Sequence, residues 1–284
     1  MFSLILENKH GAQLTFGMGS PYTITEIQGL NPPDATINTS QVALLDGARY
    51  NSAKVNMRQL NIAFAIEYNA AMNRVKMYNV LKTKHWVRMY YTGDQRNVYI
   101  DGYIQNLDIS YFEMKQIVTV SILCPKPYFK DAQEIVNEMN TIINSFHFPF
   151  YSTAAPQVVL GYFNNETGMT IENTGDVDCG LNIELYARNA VTNPKIFNYI
   201  TGEFFGLNYS LQTGDVVTIN TSKGERSVTL LRNGAETNLF NYVMANSTWL
   251  QLEADGSTFV YEVGTGQNSD LLVTFTHLNL YEGV

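Results

Sequence analysis

Between Thr213 and Leu280 short alternating strands follow one another, cut at regular intervals by turn residues, and this pattern excludes most architectures. Val217 and Ile219 alternate with Val216 and Thr218, Ser222-Lys223-Gly224-Glu225 breaks the run, and Val228 and Leu230 resume it. Glycine, serine and asparagine supply the positive φ angles and local hydrogen bonds of hairpin turns. The same unit recurs at Trp249–Leu252, which Glu253-Ala254-Asp255-Gly256 ends before Thr258–Tyr261 begins. Leu271–Leu280 closes the series, with Leu271, Val273, Phe275 and His277 sharing one side. Short strands at even spacing predict an antiparallel β-sandwich or jelly roll and argue against βαβ units.

The N-terminal half reads as antiparallel strands with one helix inserted. Leu60, Ile62, Phe64 and Ile66 alternate with smaller or polar neighbours, so this strand buries one face. A helix is predicted from an Asn69 N-cap, with Met77, Val80 and Leu81 as its apolar stripe and Lys82 and Lys84 near its C-terminus. Hairpins follow at 85–104 and 107–123. Pro125 and Pro127 then mark an exit from the sheet, because neither can donate to a ladder. Gln133–Phe146 has apolar residues at helical spacing, although Thr141, Ile142 and Ile143 are equally compatible with an extended connector. The expected division is a β-rich domain over 1–132, a connector over 133–152 and a β-sandwich over 153–284. One segment, Gly29–Gly47, has two prolines, little periodicity and more length than an ordinary connection. Such loops order against a partner, so Asn31, Pro32, Pro33 and Asp34 are the candidate subunit contact.

Composition narrows the function. Of the 284 residues only 15% are charged, and the net charge is −8 with no basic run. Phosphate binding depends on Lys and Arg displacing counterions, so a nucleic-acid-binding role is not expected. No apolar stretch approaches the roughly twenty residues that cross a bilayer, and Glu7–His10 ends the N-terminal apolar run well short of a secretory signal, so no membrane partner is expected and folding in a cytoplasm is. Cys124 and Cys179 are too few and too far apart for a disulfide framework or a zinc ribbon, and read as reduced, buried thiols.

Catalysis finds little to stand on. His10, His85, His147 and His277 are scattered, and no GxSxG elbow, Walker sequence or dinucleotide fingerprint is present. Glu134 with Glu138, and Asp176 with Asp178, read as solvated charges rather than a glycosidase pair. No enzyme activity, cofactor or metal is expected. Trp249, with Tyr242 and Tyr261, is the candidate glycan contact, since flat aromatic rings stack on sugars, and the competing reading of Trp249 is core packing.

Three stretches in order, spread over nearly the whole chain, carry a family resemblance. They are GLNPP followed by the Gly47–Ile66 region with Arg58 and the helix after it; CPKPYF with FHFPF downstream; and GDVVTINTSKGERSVTL followed by STWLQLEADGSTFVYEV. Together they resemble the distal tail protein (Dit) family of long-tailed bacteriophages. The resemblance implies a mainly β fold: an N-terminal antiparallel β-rich ring domain with one inserted α-helix, and a C-terminal galectin-like β-sandwich outside it. It also implies a homo-hexameric ring at the virion tail tip, an adaptor between the tail tube protein and the tail-associated hub protein. The alternative is a carbohydrate-binding module that recognises host glycans through the C-terminal sandwich, or a contact there with a receptor-binding protein. A ring suits a weakly charged, strand-rich chain, because closed symmetry covers edges that would otherwise stay exposed. A neutral or acidic channel wall would let DNA pass without trapping its phosphates.

Overall fold

The computed structural model describes residues 2–17, 19–41, 43, 46–113, 115–144, 161–165 and 168–284. They form two compact units, Met1–Gln133 with Leu280–Val284, and Glu134–Asn279.

In the first unit the strands are β1 (Ser3–Asn8), β2 (Gln13–Phe16), β3 (Tyr22–Gln28), β4 (Ala35–Ser40), β5 (Arg49–Val55), β6 (Arg58–Ile66), β7 (Trp86–Thr92), β8 (Asn97–Ile109), β9 (Gln116–Cys124) and β10 (Phe129–Asp131), with α1 at Ala70–Val80. The main sheet runs β2-β1-β7-β8-β9-β6-β3, every pair antiparallel. β10 adds to β8, and Leu280–Tyr281 adds to β10. Alternation places Leu4, Leu6, Leu60, Ile62, Phe64, Val87, Met89, Val98, Ile100, Val118 and Val120 in one buried core. Met77 and Val80 from α1 join it, and the Tyr22 hydroxyl donates to the Asn73 carbonyl at 2.8 Å to fix the helix in place.

Asn69 is the N-cap residue of α1 as expected, but the capping chemistry is corrected. Asn69 sits in the left-handed region at φ 48° with no side-chain cap, and the helix stops at Val80, so Lys82 and Lys84 lie beyond it. Packing of Met77 and Val80, not end chemistry, stabilises these three turns.

In the second unit one sheet runs Ile135–Glu138, Leu271–His277, Cys179–Ala187, Val216–Asn220, Ser227–Arg232, Ala235–Asn238. A second runs Gly168–Ile171, Ser257–Glu262, Lys195–Asn198, Phe204–Gly206. Their inner faces meet where the Phe259 and Phe275 rings stack at 5.1 Å. This is a β-sandwich, with Val217, Ile219, Val228, Leu230, Val273 and Phe275 all inside it.

The span read as a connector differs. Ile135–Glu138 is an edge strand paired with Leu271–His277, and Asn140–Asn144 pairs with Gly161–Asn165. β-branched Thr141, Ile142 and Ile143 crowd a helix and suit a pleated ladder, which explains the extended outcome. The last five residues belong to the first unit and not to the sandwich. Residues 145–160, which hold His147, Phe148-Pro149-Phe150 and the expected boundary after 152, lie outside the described residues.

His277 ends the inner face of its strand at 3% exposure, and burial pushes its imidazole below the usual histidine range. On the core face its strand neighbours are Ile135 and Leu181. A depressed histidine pKa means the unfolded chain takes up a proton that the folded chain refuses, so stability holds above about pH 6.5 and falls below it. The second unit is therefore expected to lose stability as pH falls below about 6.5 toward the lower, folded-state value of His277. In a Trp86→Phe background, urea midpoints followed by Trp249 emission at pH 7.5 and 5.5 would show it, and His277→Gln should flatten the slope.

Candidate assembly surface

Within the first unit β4 and β5 form a two-stranded hairpin that, among the described residues, joins no other sheet. Their registers pair Ala35 with Val55, Ile37 with Ala53 and Thr39 with Tyr50 on one face. The other face pairs Thr36 with Lys54, Asn38 with Ser52 and Ser40 with Arg49. The polar face is internally bonded: Asn38 Nδ2 donates to Ser52 Oγ at 3.0 Å, and Ser40 Oγ to Asn51 Oδ1 at 3.2 Å. The apolar face is bare. Ile37 is 63% and Tyr50 62% exposed, and the strands carry no buried residue. An isolated two-stranded hairpin is marginal in water, because one ladder gives too little burial to offset chain ordering.

The root of this arm, by contrast, is heavily tied down. Arg58, at the start of β6, is 3% exposed and donates to four main-chain carbonyls. Nε reaches Pro127 O at 2.6 Å, Nη1 reaches Gly29 O at 2.5 Å and Asn31 O at 2.6 Å, and Nη2 reaches Glu282 O at 2.5 Å. The guanidinium also lies 4.5 Å from the Phe129 ring centroid. Burial pulls its pKa down, while Cys124 and Glu282 act the other way. Among the expected contact residues, Asn31, Pro32 and Asp34 are exposed and Pro33 is half-buried. Asn31 and Asp34 spend their carbonyls on the root, the latter accepting from Asn56 N at 2.9 Å. Their position is the foot of the hairpin, whose free apolar surface lies further along.

The three expected glycan contacts do not form one surface. Trp249 is half-buried between Phe205 (5.0 Å) and Phe240 (5.6 Å, stacked), with the Arg226 guanidinium 5.5 Å from its ring. Tyr242 is 46% exposed and meets Tyr209 edge-on at 4.9 Å. Tyr261 is a core residue, 1% exposed, its hydroxyl donating to the carbonyls of Asn268 and Leu271. Alternation along Ser257–Glu262 turns Tyr261 inward with Phe259. Both cysteines are free and buried, and burial pushes each thiol up to about 12. Among the described residues no group of three His, Cys, Asp or Glu side chains could hold a metal ion, and no helix is long and apolar enough to cross a membrane.

Residues 174–277 match the model of the siphovirus-type tail component, C-terminal domain. Residues 174–277 therefore carry the C-terminal domain of a siphovirus-type tail component. Fold comparison extends the likeness to both units. The crystal structure of the Dit protein of phage SPP1 superposes with a TM-score of 0.68 at 12% identity, covering 99% of each chain. A chain of the phage P2 baseplate, in its activated conformation with calcium, gives 0.53 at 12% identity over 100% of each chain. No curated relative matches in sequence. The shared fold thus goes with few shared residues, as expected where alternation and turn positions, not particular side chains, specify the sheets.

Proposed function

We propose that this protein belongs to the Dit family and is a structural adaptor of the phage tail tip, which closes into a homo-hexameric ring between the tail tube and the tail-associated hub. The observation that carries this reading is the β4–β5 arm, a hairpin that presents Ile37 and Tyr50 to solvent on one face and has no buried residue. Its cover is a neighbouring copy: a heterologous contact repeated around an axis buries every arm and leaves none over. The fold shared with SPP1 Dit and with a phage P2 baseplate chain supports the tail-tip setting.

Native mass spectrometry and size exclusion with light scattering test the reading. The intact protein is expected as a hexamer, and the double substitution Ile37→Asp with Tyr50→Asp as a monomer. Neither residue is buried, so both units should remain folded in the monomeric variant. A monomeric intact protein at every concentration, or a hexamer of the double variant, overturns it.

A further inference from the structure

We propose that Leu280–Val284 is an assembly latch: it completes the root of the β4–β5 arm, so an assembly-competent arm forms only after the second unit has been synthesised. This rests on the ring reading for its consequence, but its structural part stands alone. The segment threads back into the first unit after the whole of Glu134–Asn279. Phe129 and Lys130 pair with Tyr281 and Leu280, and Tyr281 and Val284 pack against the core. The Glu282 carbonyl takes one of the four Arg58 hydrogen bonds. Arg96, from the β7–β8 turn, donates to the Gly283 carbonyl and lays its guanidinium 4.4 Å from the Tyr281 ring centroid.

The link to the arm is direct. Val284 N donates to the Leu30 carbonyl at 3.2 Å, and Arg58 holds the carbonyls on either side, Gly29 and Asn31. A Cβ at Gly283 would lie 3.1 Å from Leu30 O and 3.3 Å from Pro32 Cδ, so the segment lies flush under the GLNPP turn. Without it, the Leu30 carbonyl loses its donor, Arg58 loses an acceptor and β10 becomes an open edge. The turn that aims the arm is then held from one side only. Since residues 134–279 precede the latch in the chain, a nascent first unit exposes no fixed arm until they have been made. Premature contact between unfinished copies is thereby suppressed.

The test compares the intact protein with a variant lacking Leu280–Val284, by hydrogen exchange over Ile27–Asp34 and by native mass spectrometry. The truncated protein is expected to exchange at least about ten-fold faster in that segment and to remain monomeric. The synthetic peptide Leu-Tyr-Glu-Gly-Val, added at millimolar concentration, should restore protection. Unchanged exchange together with unchanged assembly overturns the proposal. If truncation unfolds the first unit, Arg96→Gln decides in its place: it loosens the grip on the latch and leaves the segment in the chain, and faster exchange over Ile27–Asp34 supports the proposal while unchanged exchange overturns it. If the intact protein is itself a monomer, the ring reading fails and the exchange data alone judge the latch.

Discussion

Arg58→Met should lower the unfolding free energy of the first unit by about 3–5 kcal/mol, among the largest single-residue losses in the chain. Methionine replaces much of the stem's packing but none of the donors. Four carbonyls, from Gly29, Asn31, Pro127 and Glu282, would then lie without the group that gathers them. Each buried acceptor left unsatisfied costs about 1–3 kcal/mol, and relaxation toward water recovers part of the sum. Arg58→Lys should rescue little, because a planar fork spans several acceptors that a single ammonium cannot. The chain has two tryptophans, Trp86 in the first unit and Trp249 in the second. In a Trp249→Phe background, Trp86 emission through a urea titration reports the first unit separately. A loss below about 1 kcal/mol would mean that the carbonyls find water at little cost, and that the root is far looser than its geometry indicates.

The sequence made the strands legible wherever one face is strongly apolar. Leu60, Ile62 and Phe64 leave no doubt about which side is buried, because each is large and their neighbours Gln59, Asn61, Ala63 and Ala65 are small or polar. The arm was missed as structure for the opposite reason. Ala35, Ile37 and Thr39 do alternate with Thr36, Asn38 and Ser40, but alanine and threonine give a weak contrast, so the segment reads as loop. Arg58 was legible as part of a motif and illegible in its role, since its acceptors are main-chain atoms of three distant segments and main-chain atoms leave no mark in a sequence. Gly29 is the exception that geometry explains. Its φ is +92°, and a Cβ there would lie 2.2 Å from the Gln59 carbonyl oxygen, so the first residue of GLNPP can be only glycine. The return of Leu280–Val284 to the first unit has no local signal, because a short strand announces neither its partner nor its distance along the chain.

In the second unit, Arg232→Ala is expected to cost about 3–5 kcal/mol and Asp215→Ala distinctly less, although both break the same ion pair. Asp215 belongs to the Gly-Asp turn that opens the strand Val216–Asn220, and Arg232 ends the next strand, so the pair staples a hairpin at its open end. Nε and Nη2 of Arg232 meet the two carboxylate oxygens at 2.8 and 2.5 Å, and Gln212 N donates a third bond at 2.7 Å. The two ends differ in solvation: the Asp215 side chain is 2% exposed and that of Arg232 28%. Freed of its partner, the guanidinium can turn to water, whereas the carboxylate stays buried with one backbone donor. The Arg232 hydrogen bonds hold the Asp215 carboxyl below the usual carboxylate range. A depressed carboxylate pKa gives stability that is complete above about pH 4 and is lost as pH falls through the folded value. Arg232→Ala should erase that acid dependence along with the stability. A double-mutant cycle in a Trp86→Phe background, read by Trp249 emission at pH 7, would measure the coupling directly. Equal single losses would show that the buried carboxylate reaches solvent as easily as the arginine, and would remove the reason for placing aspartate at the base of this turn.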